Sequence, residues 1–354
     1  MNERIMRLSS GILFLRRYLG GQKVEHNIRL TSAEIGGLWA TYIQENMTVC
    51  LLTYFLHHNQ DEEIKKILQQ AYEISEGHVQ KITTIFNDEG IPIPDGFSEK
   101  DINLSAPPLF YDMFGLSFVY SMSRMSMINM GFITVNTARE DVMDFFVTMV
   151  QQTSMLYQQS TNLMLSKGIY DRPPMIPYPN KVEYIEKLSY ISGFGKKRPL
   201  NVAEITEIFF NTERNYFSIL LCMGLLQVVS DKEIHNFIEE GKKISEKQIT
   251  TFNDILMREE LLGNVSTSVE VTDSTVSPFS DRLVVTLFHS LNAIDITLIG
   301  HALSLSMRTD LSAYYQKYIL DILVYSAKGF DLMVDRGWAQ LPPHAPSRRD
   351  LQKL

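Results

Sequence analysis

The sequence predicts an all-α protein built as two tandem four-helix bundles, and three observations carry that prediction. The chain repeats itself: TSAEIG at 31–36 answers to NVAEIT at 201–206, ISEGHVQKITTIF at 74–86 to ISEKQITTFNDIL at 244–256, and RPPMIP at 172–177 to LPPHAP at 341–346. A spacing of this size exceeds any solenoid unit and marks a whole duplicated domain. Each copy then holds four long segments of helical apolar period, joined by connections that run short, long, short. The 354 residues accommodate two domains, at about 150 residues each. The 45% hydrophobic content supplies two cores.

The first helix is expected over about 31–58, opened by the capping pair Thr31 and Glu34. Its apolar seam is Ile35, Leu38, Tyr42, Val49, Leu52 and Leu56. The second, about 61–88, starts after Asn59 with Glu62 and places Ile64, Ile67, Ala71, Ile74, Ile82 and Ile85 on one face. A third covers about 108–135 and a fourth about 138–167, the latter capped by Thr137 with Glu140 and closed by Gly168, Pro173 and Pro174. The second copy repeats this near 201–229, with Asn201 and Glu204 as its capping pair, 231–260, 279–305 and 308–336. The domains are therefore 26–177 and 201–346, with an N-terminal arm at 1–25, a linker at 178–200 and a C-terminal tail at 347–354.

The connections predict the topology. Helices one and two, and helices three and four, are joined by a few residues, which makes antiparallel hairpins. Between helices two and three lies GIPIPDGFSEKDINLSAP at 90–107. A helix of this length is about 40 Å long, and a crossover of this size can extend about 60 Å. It can return along the bundle and set helices two and three parallel, which is the ferritin-like connection.

A formal net charge of −8 gives no global basic footprint for nucleic acid. The two cysteines, Cys50 and Cys222, fall in apolar helical patterns and read as buried thiols of a reducing, intracellular setting. The most apolar stretches, 216–229 and 283–306, read as buried bundle helices, the second carrying His289, Asn292, Asp295 and His301; no transmembrane segment is expected. Residues 1–25 carry Arg4, Arg7, Arg16, Arg17 and Lys23 around GILFL, too short an apolar run for a signal peptide. They fit a flexible arm, a membrane-surface helix or an extension upstream of the true start. GFGKKRP at 193–199 reads as a solvated basic turn.

A di-metal bundle needs a Glu on each of two helices and Glu-x-x-His on the other two, and the sequence has no Glu-x-x-His. Two residues still fall on core seams: Glu45 and His78. Burying a lone carboxylate costs several kcal/mol unless it is paired. Glu45 and His78 are therefore expected to meet each other or a polar partner such as Arg124. The matching positions of the second copy hold Asn215 and Gln248, amides that keep a hydrogen bond but make poor metal ligands. The five form an expected buried polar cluster; no catalytic, cofactor-binding or metal residue is assigned, and no cofactor is expected. There is no nucleophile elbow, phosphate-binding glycine loop or Cys-x-x-Cys. The methionines of helix three, Met113, Met122, Met125, Met127 and Met130, read as core filler.

HNIRLTSAEIGGLW, the SEGH turn, IPIPDGF, SKGIYDRPPMIP and EVTDSTVSPFSD closely resemble a tandem-domain family from spore-forming bacteria, domain-of-unknown-function family 3231. The resemblance covers about 26–346. It implies a ferritin-like fold, with looser similarity to spore-coat proteins, and it implies no activity. The expected function is that of a non-catalytic structural or interaction protein, cytoplasmic or spore-associated, working through a protein partner or self-association. Tyrosine-rich helix surfaces (Tyr314, Tyr315, Tyr318, Tyr325) point the same way. The alternative is a metal- or small-ligand-binding protein, or an enzyme, with an atypical site near Glu45 and His78.

Overall fold

The computed structural model describes residues 28–195, 197–261 and 270–353. The expected arm at 1–25 and part of the second crossover lie outside the described residues. Eight long helices form two bundles. The first holds α1 (Ser32–His58), α2 (Glu62–Glu89), α3 (Asp112–Thr134) and α4 (Glu140–Ser166). The second holds α5 (Val202–Val228), α6 (Lys232–Arg258), α7 (Asp281–Leu305) and α8 (Thr309–Asp335). A single turn, α9 (Arg348–Leu351), ends the chain. Among the described residues extended pairing is limited to isolated bridges.

Local chemistry sets the helix ends. Thr31 and Asn201 each form a capping box with the glutamate three residues on. Asp61 and Asp231 cap α2 and α6 through two backbone N–H groups each. Gly90 stops α2 with φ at +65°, a conformation that costs a side-chain-bearing residue.

Polar ties between helix ends fix the directions. The carboxylate of Asp112, at the start of α3, accepts from the backbone N–H groups of Gln60 and Asp61, at the start of α2. Those two helices therefore begin at the same end and run parallel. Asp61 also pairs with Lys167, at the end of α4, 2.7 Å away. At the other pole Glu89 pairs with Arg139, at the start of α4. The second bundle repeats the ties with Asp231 to Arg336 at 2.9 Å and Glu259 to Arg308 at 2.7 Å.

The two bundles meet through their crossovers, which pair with one another about a pseudo-twofold axis. Ile102 bridges Phe279, and Phe110 bridges Val271. The Asn103 N–H donates to the Pro278 carbonyl at 2.8 Å and Thr272 to Leu109 at 3.0 Å; Ser280 donates to Asp101 and Tyr111 to Glu270 in the same exchanged manner. Such reciprocity is the mark of an isologous interface, here formed within one chain. Phe110, Phe114 and Phe217 stack across the junction, with centroids 3.9 and 5.3 Å apart, so a single apolar cluster continues from one bundle into the other. Arg282 seals the edge, donating to the Gly96 carbonyl and pairing with Asp95 and Asp101 while lying over the Phe97 ring.

Three expectations change. GFGKKRP does not lie free: Lys197 pairs with Asp310, Arg198 grips Glu204 with both Nη atoms, and the Gly193 N–H donates to Thr309. The basic turn is thus docked on the start of α8. Tyr315, Tyr318 and Tyr325 are not surface residues but fully buried; they lie on the inner face of α8 with Leu311, Ile322 and Met333. At the end of α1 the His57 and His58 side chains would suit the helix dipole as cations, but burial, with His57 beside it, lowers the pKa of His58. The helix Asp281–Leu305 is long and apolar enough to cross a membrane by length and composition, with a mean hydropathy of 1.6 over its most apolar window; half of that window is buried in the fold.

Candidate functional site

Midway along the first bundle, α1 delivers Glu45 and α2 delivers His78 to the same space. His78 Nδ1 lies 3.5 Å from a Glu45 carboxylate oxygen, and Nε2 lies 2.8 Å from the Gln152 amide oxygen on α4. The Phe145 ring stands edge-on to the imidazole, 5.7 Å away. Burial works to lower the pKa of His78, but Glu45 and Gln152 outweigh it and hold it above its ordinary value. Only Nε2 makes a hydrogen bond; Nδ1 stands near the carboxylate without one, and the nearby acid favours the protonated ring. Beside the pair is a cavity of about 110 Å³ lined by Leu52, Phe118, Met122, Met125 and Leu156.

In the second bundle the Asn215 amide donates to Gln248 at 3.1 Å and to the Asn211 carbonyl at 2.7 Å. The adjacent Arg214 pairs with Asp295 on α7 and donates to the Asn211 side-chain oxygen. Glu45 with His78, and Asn215 with Gln248, therefore make the same α1–α2 and α5–α6 contact in different chemistry. Arg124 belongs to neither. It crosses to the other bundle, pairing with Glu213 at 2.6 Å, donating to the Tyr120 hydroxyl and lying 4.1 Å from the Phe210 centroid. Glu45 and His78 thus meet each other, and the alternative partner Arg124, expected in the same cluster, is corrected: α3 turns it toward the bundle junction. Among the described residues no three His, Cys, Asp or Glu side chains converge on a metal position.

Two arrangements escaped the sequence reading. The capping glutamates do double duty. One carboxylate oxygen of Glu34 accepts from Thr31, and the other accepts from the N–H groups of Ala138 and Arg139 at the start of α4. Glu204 does the same for Asn201, Met307 and Arg308. Burial would raise the pKa of Glu34, yet the donors of Arg139, Thr31 and Ala138 outweigh it and bring it down to about 2. The second arrangement is a groove of about 710 Å³ between the bundles, with Tyr120, Tyr157, Tyr170, Phe210 and Glu207 in its walls. No local signal could have revealed it, because its residues come from four helices and the segment that follows α4.

These features define a class: all-α proteins in which two four-helix bundles with long crossovers are fused and locked as a pseudo-dimer. The chain belongs to the family described as Protein of unknown function (DUF3231), whose model matches residues 20–182 and 189–351. It is similar to the Uncharacterized protein YvdQ of Bacillus subtilis (strain 168), 22% identical over 147 residues, which is 40% of this chain and 86% of that one. A solved structure from Bacillus halodurans C-125, provisionally named a spore coat protein, aligns at 18% identity with a TM-score of 0.39, covering 43% of this chain and 98% of its own.

Proposed function

We propose that the protein is a non-catalytic structural or interaction protein that self-associates through the outer face of α8, in the cytoplasm and spore of a spore-forming bacterium. The observation that carries this is an exposed apolar stripe. Leu320, Leu323, Val324, Phe330 and Val334 are 62%, 48%, 61%, 48% and 52% exposed and follow helical spacing. Scattered exposed leucines need no explanation, but a continuous stripe marks an interaction face. The polar centre of the bundles supports the non-catalytic part. From one repeat to the other the contact is kept, while acid and imidazole give way to two amides.

The test is light scattering of the full chain over a concentration series, beside Leu320→Glu/Val324→Glu. The expected result is a concentration-dependent oligomer that the double variant reduces to monomer. A wild-type chain that stays monomeric at high concentration removes the self-association reading. Fractionation of sporulating cells that make the tagged chain tests the location, and absence from spore fractions removes that part. The cavity beside Glu45 and His78 favours a second reading, a small-ligand or metal site. Elemental analysis after aerobic iron loading and desalting decides between them: retained iron that Glu45→Gln abolishes would put the second reading first.

A further inference from the structure

The groove between the bundles is built unlike its own symmetry mate. Tyr120 stacks on Tyr157 with centroids 5.6 Å apart and meets Tyr170 edge-on at 5.8 Å. Arg124 spends its charge on Glu213, 2.6 Å away. On the opposite wall Glu207 is only 7% exposed. One of its carboxylate oxygens has no hydrogen-bond partner, and the other lies 3.7 Å from His301 Nε2. Asp171 lies at the edge of the same groove. Burial raises the pKa of both Glu207 and Asp171, the sign of carboxylates whose charge is under-compensated. Three carboxylates thus face one guanidinium and one exposed imidazole around an aromatic wall.

The pseudo-twofold axis supplies an internal control. Helix starts place Glu62 against Lys232 and Asp112 against Asp281, so equivalent positions can be read directly. Where this groove has Tyr120, Arg124, Tyr157 and Tyr170, the mate has His289, Ala293, Ser326 and Ala339. Where it has Glu207 and Glu213, the mate has Gly37 and Ile43. The other repeat keeps the same fold with none of these side chains at the equivalent positions, so the fold alone demands neither the aromatic wall nor the acids.

We infer that this groove binds a small organic cation with an apolar or aromatic body, its ammonium set against Glu207 and its body against Tyr120, Tyr157 and Tyr170. The volume lies inside the range of small-molecule sites, about 300–1,000 Å³. An ammonium gains from aromatic faces, with Tyr among the effective ones. Placed beside the Glu207 carboxylate, whose nearest cationic group is the exposed His301 imidazole 3.7 Å away, it also offsets the cost of burying that acid's charge. The inference is independent of self-association, because α8's outer stripe contributes nothing to the groove.

The experiment is calorimetric titration of the full chain with three probes of one shape: 2-phenylethylammonium, the neutral 2-phenylethanol and the anion phenylacetate. The expected order is cation bound, alcohol at least tenfold weaker, anion unbound. Glu207→Gln should weaken the cation at least tenfold while leaving the alcohol within threefold. Asp171→Asn, at an exposed position, and Tyr157→Leu should each weaken the cation severalfold, and both serve if Glu207→Gln fails to fold. His289→Ala, at the position equivalent to Tyr120 in the other repeat, should change nothing. No binding of the cation at millimolar concentration, equal binding of cation and alcohol, or a cation affinity indifferent to Asp171→Asn and Tyr157→Leu would overturn the assignment.

Discussion

Replacing Glu34 by Gln tests whether the capping glutamate holds the first bundle together. The side chain is 1% exposed and receives four hydrogen bonds: Thr31 N at 2.7 Å, Thr31 Oγ1 at 2.8 Å, Ala138 N at 3.0 Å and Arg139 N at 2.8 Å. A glutamine keeps one accepting oxygen, and its amino group then faces two donors. Either Thr31 or the start of α4 is stranded. A buried donor left without a partner costs about 1–3 kcal/mol, and bonds to a charged acceptor are worth about 1.5–3 kcal/mol each. The expected loss is about 3 kcal/mol, a large share of the roughly 5–15 kcal/mol that stabilises a typical domain. Urea unfolding followed by circular dichroism at pH 7 measures it. The pH dependence gives a second readout. The folded pKa is depressed to about 2 from the ordinary 4.5, so Glu34 contributes stability that is complete above the unfolded value and lost as pH falls toward the folded one. Wild-type stability should fall over that window more steeply than that of Glu34→Gln. Equal midpoints at pH 7, or parallel acid limbs, would refute the double-clasp account.

Other consequences can be measured on the same protein. Glu45→Ala should cost more stability than Glu45→Gln, because truncation strands His78, whose nearest carboxylate is 3.5 Å away. His78 has a raised folded pKa, so its contribution is full below the unfolded value and disappears as pH rises through the folded one; Glu45→Gln should flatten that alkaline decline, read as melting temperature against pH. Cys50 and Cys222 are buried, and burial pushes both thiols up to about 12; a colorimetric disulfide reagent should find no fast-reacting thiol until denaturant is added. A Cβ at Gly224 would come within 2.7 Å of the Phe110 ring at the bundle junction, so Gly224→Ala should lower the melting temperature by several degrees, and an unchanged value would show the junction to be loose.

The extent to which the sequence foretold this structure follows the range of the interactions involved. Capping is local, so Thr31 with Glu34 and Asn201 with Glu204 could be read from spacing, and the helices begin within a few residues of the expected positions. Loop length determined direction, so the parallel course of α2 and α3 was legible too. Core seams placed Glu45 and His78 in one space, but Gln152, their third partner, sits on α4 at a distance in sequence that no periodicity spans. Arg124 was assigned to the wrong neighbours for the same reason, since Glu213 lies in the other bundle. The α8 tyrosines are a different case. Leu311, Tyr315, Tyr318, Ile322, Tyr325 and Gly329 step by threes and fours along the buried face. That period was present in the sequence, and the hydroxyls obscured it. Tyr318 answers its buried hydroxyl with Thr251 at 2.6 Å, which is how such a side chain enters a core.

The pseudo-twofold arrangement also explains why a single groove came to carry the charged and aromatic residues. In a dimer of identical chains every side chain appears on both sides of the axis, so a residue that suits one groove must be tolerated in the other. Covalent duplication lifts that condition. The consequence is visible at Gly37, the counterpart of Glu207. A Cβ there would lie 2.6 Å from the Ile133 side chain and 3.5 Å from the Phe146 ring, so that helix face is packed shut. A glutamate at this position in both repeats would wedge α1 away from α3 in the first bundle. The same logic holds at the bundle centres, where Glu45 and His78 keep a titratable contact and Asn215 and Gln248 keep a neutral one. What the two halves still share are the interactions that hold the architecture, namely the capping glutamates, the terminal ion pairs and the exchanged crossovers. Glu45 and His78 in one half, and Glu207 and Glu213 in the other, line cavities that the opposite half fills with different chemistry, where a side chain can change without unlocking the fold.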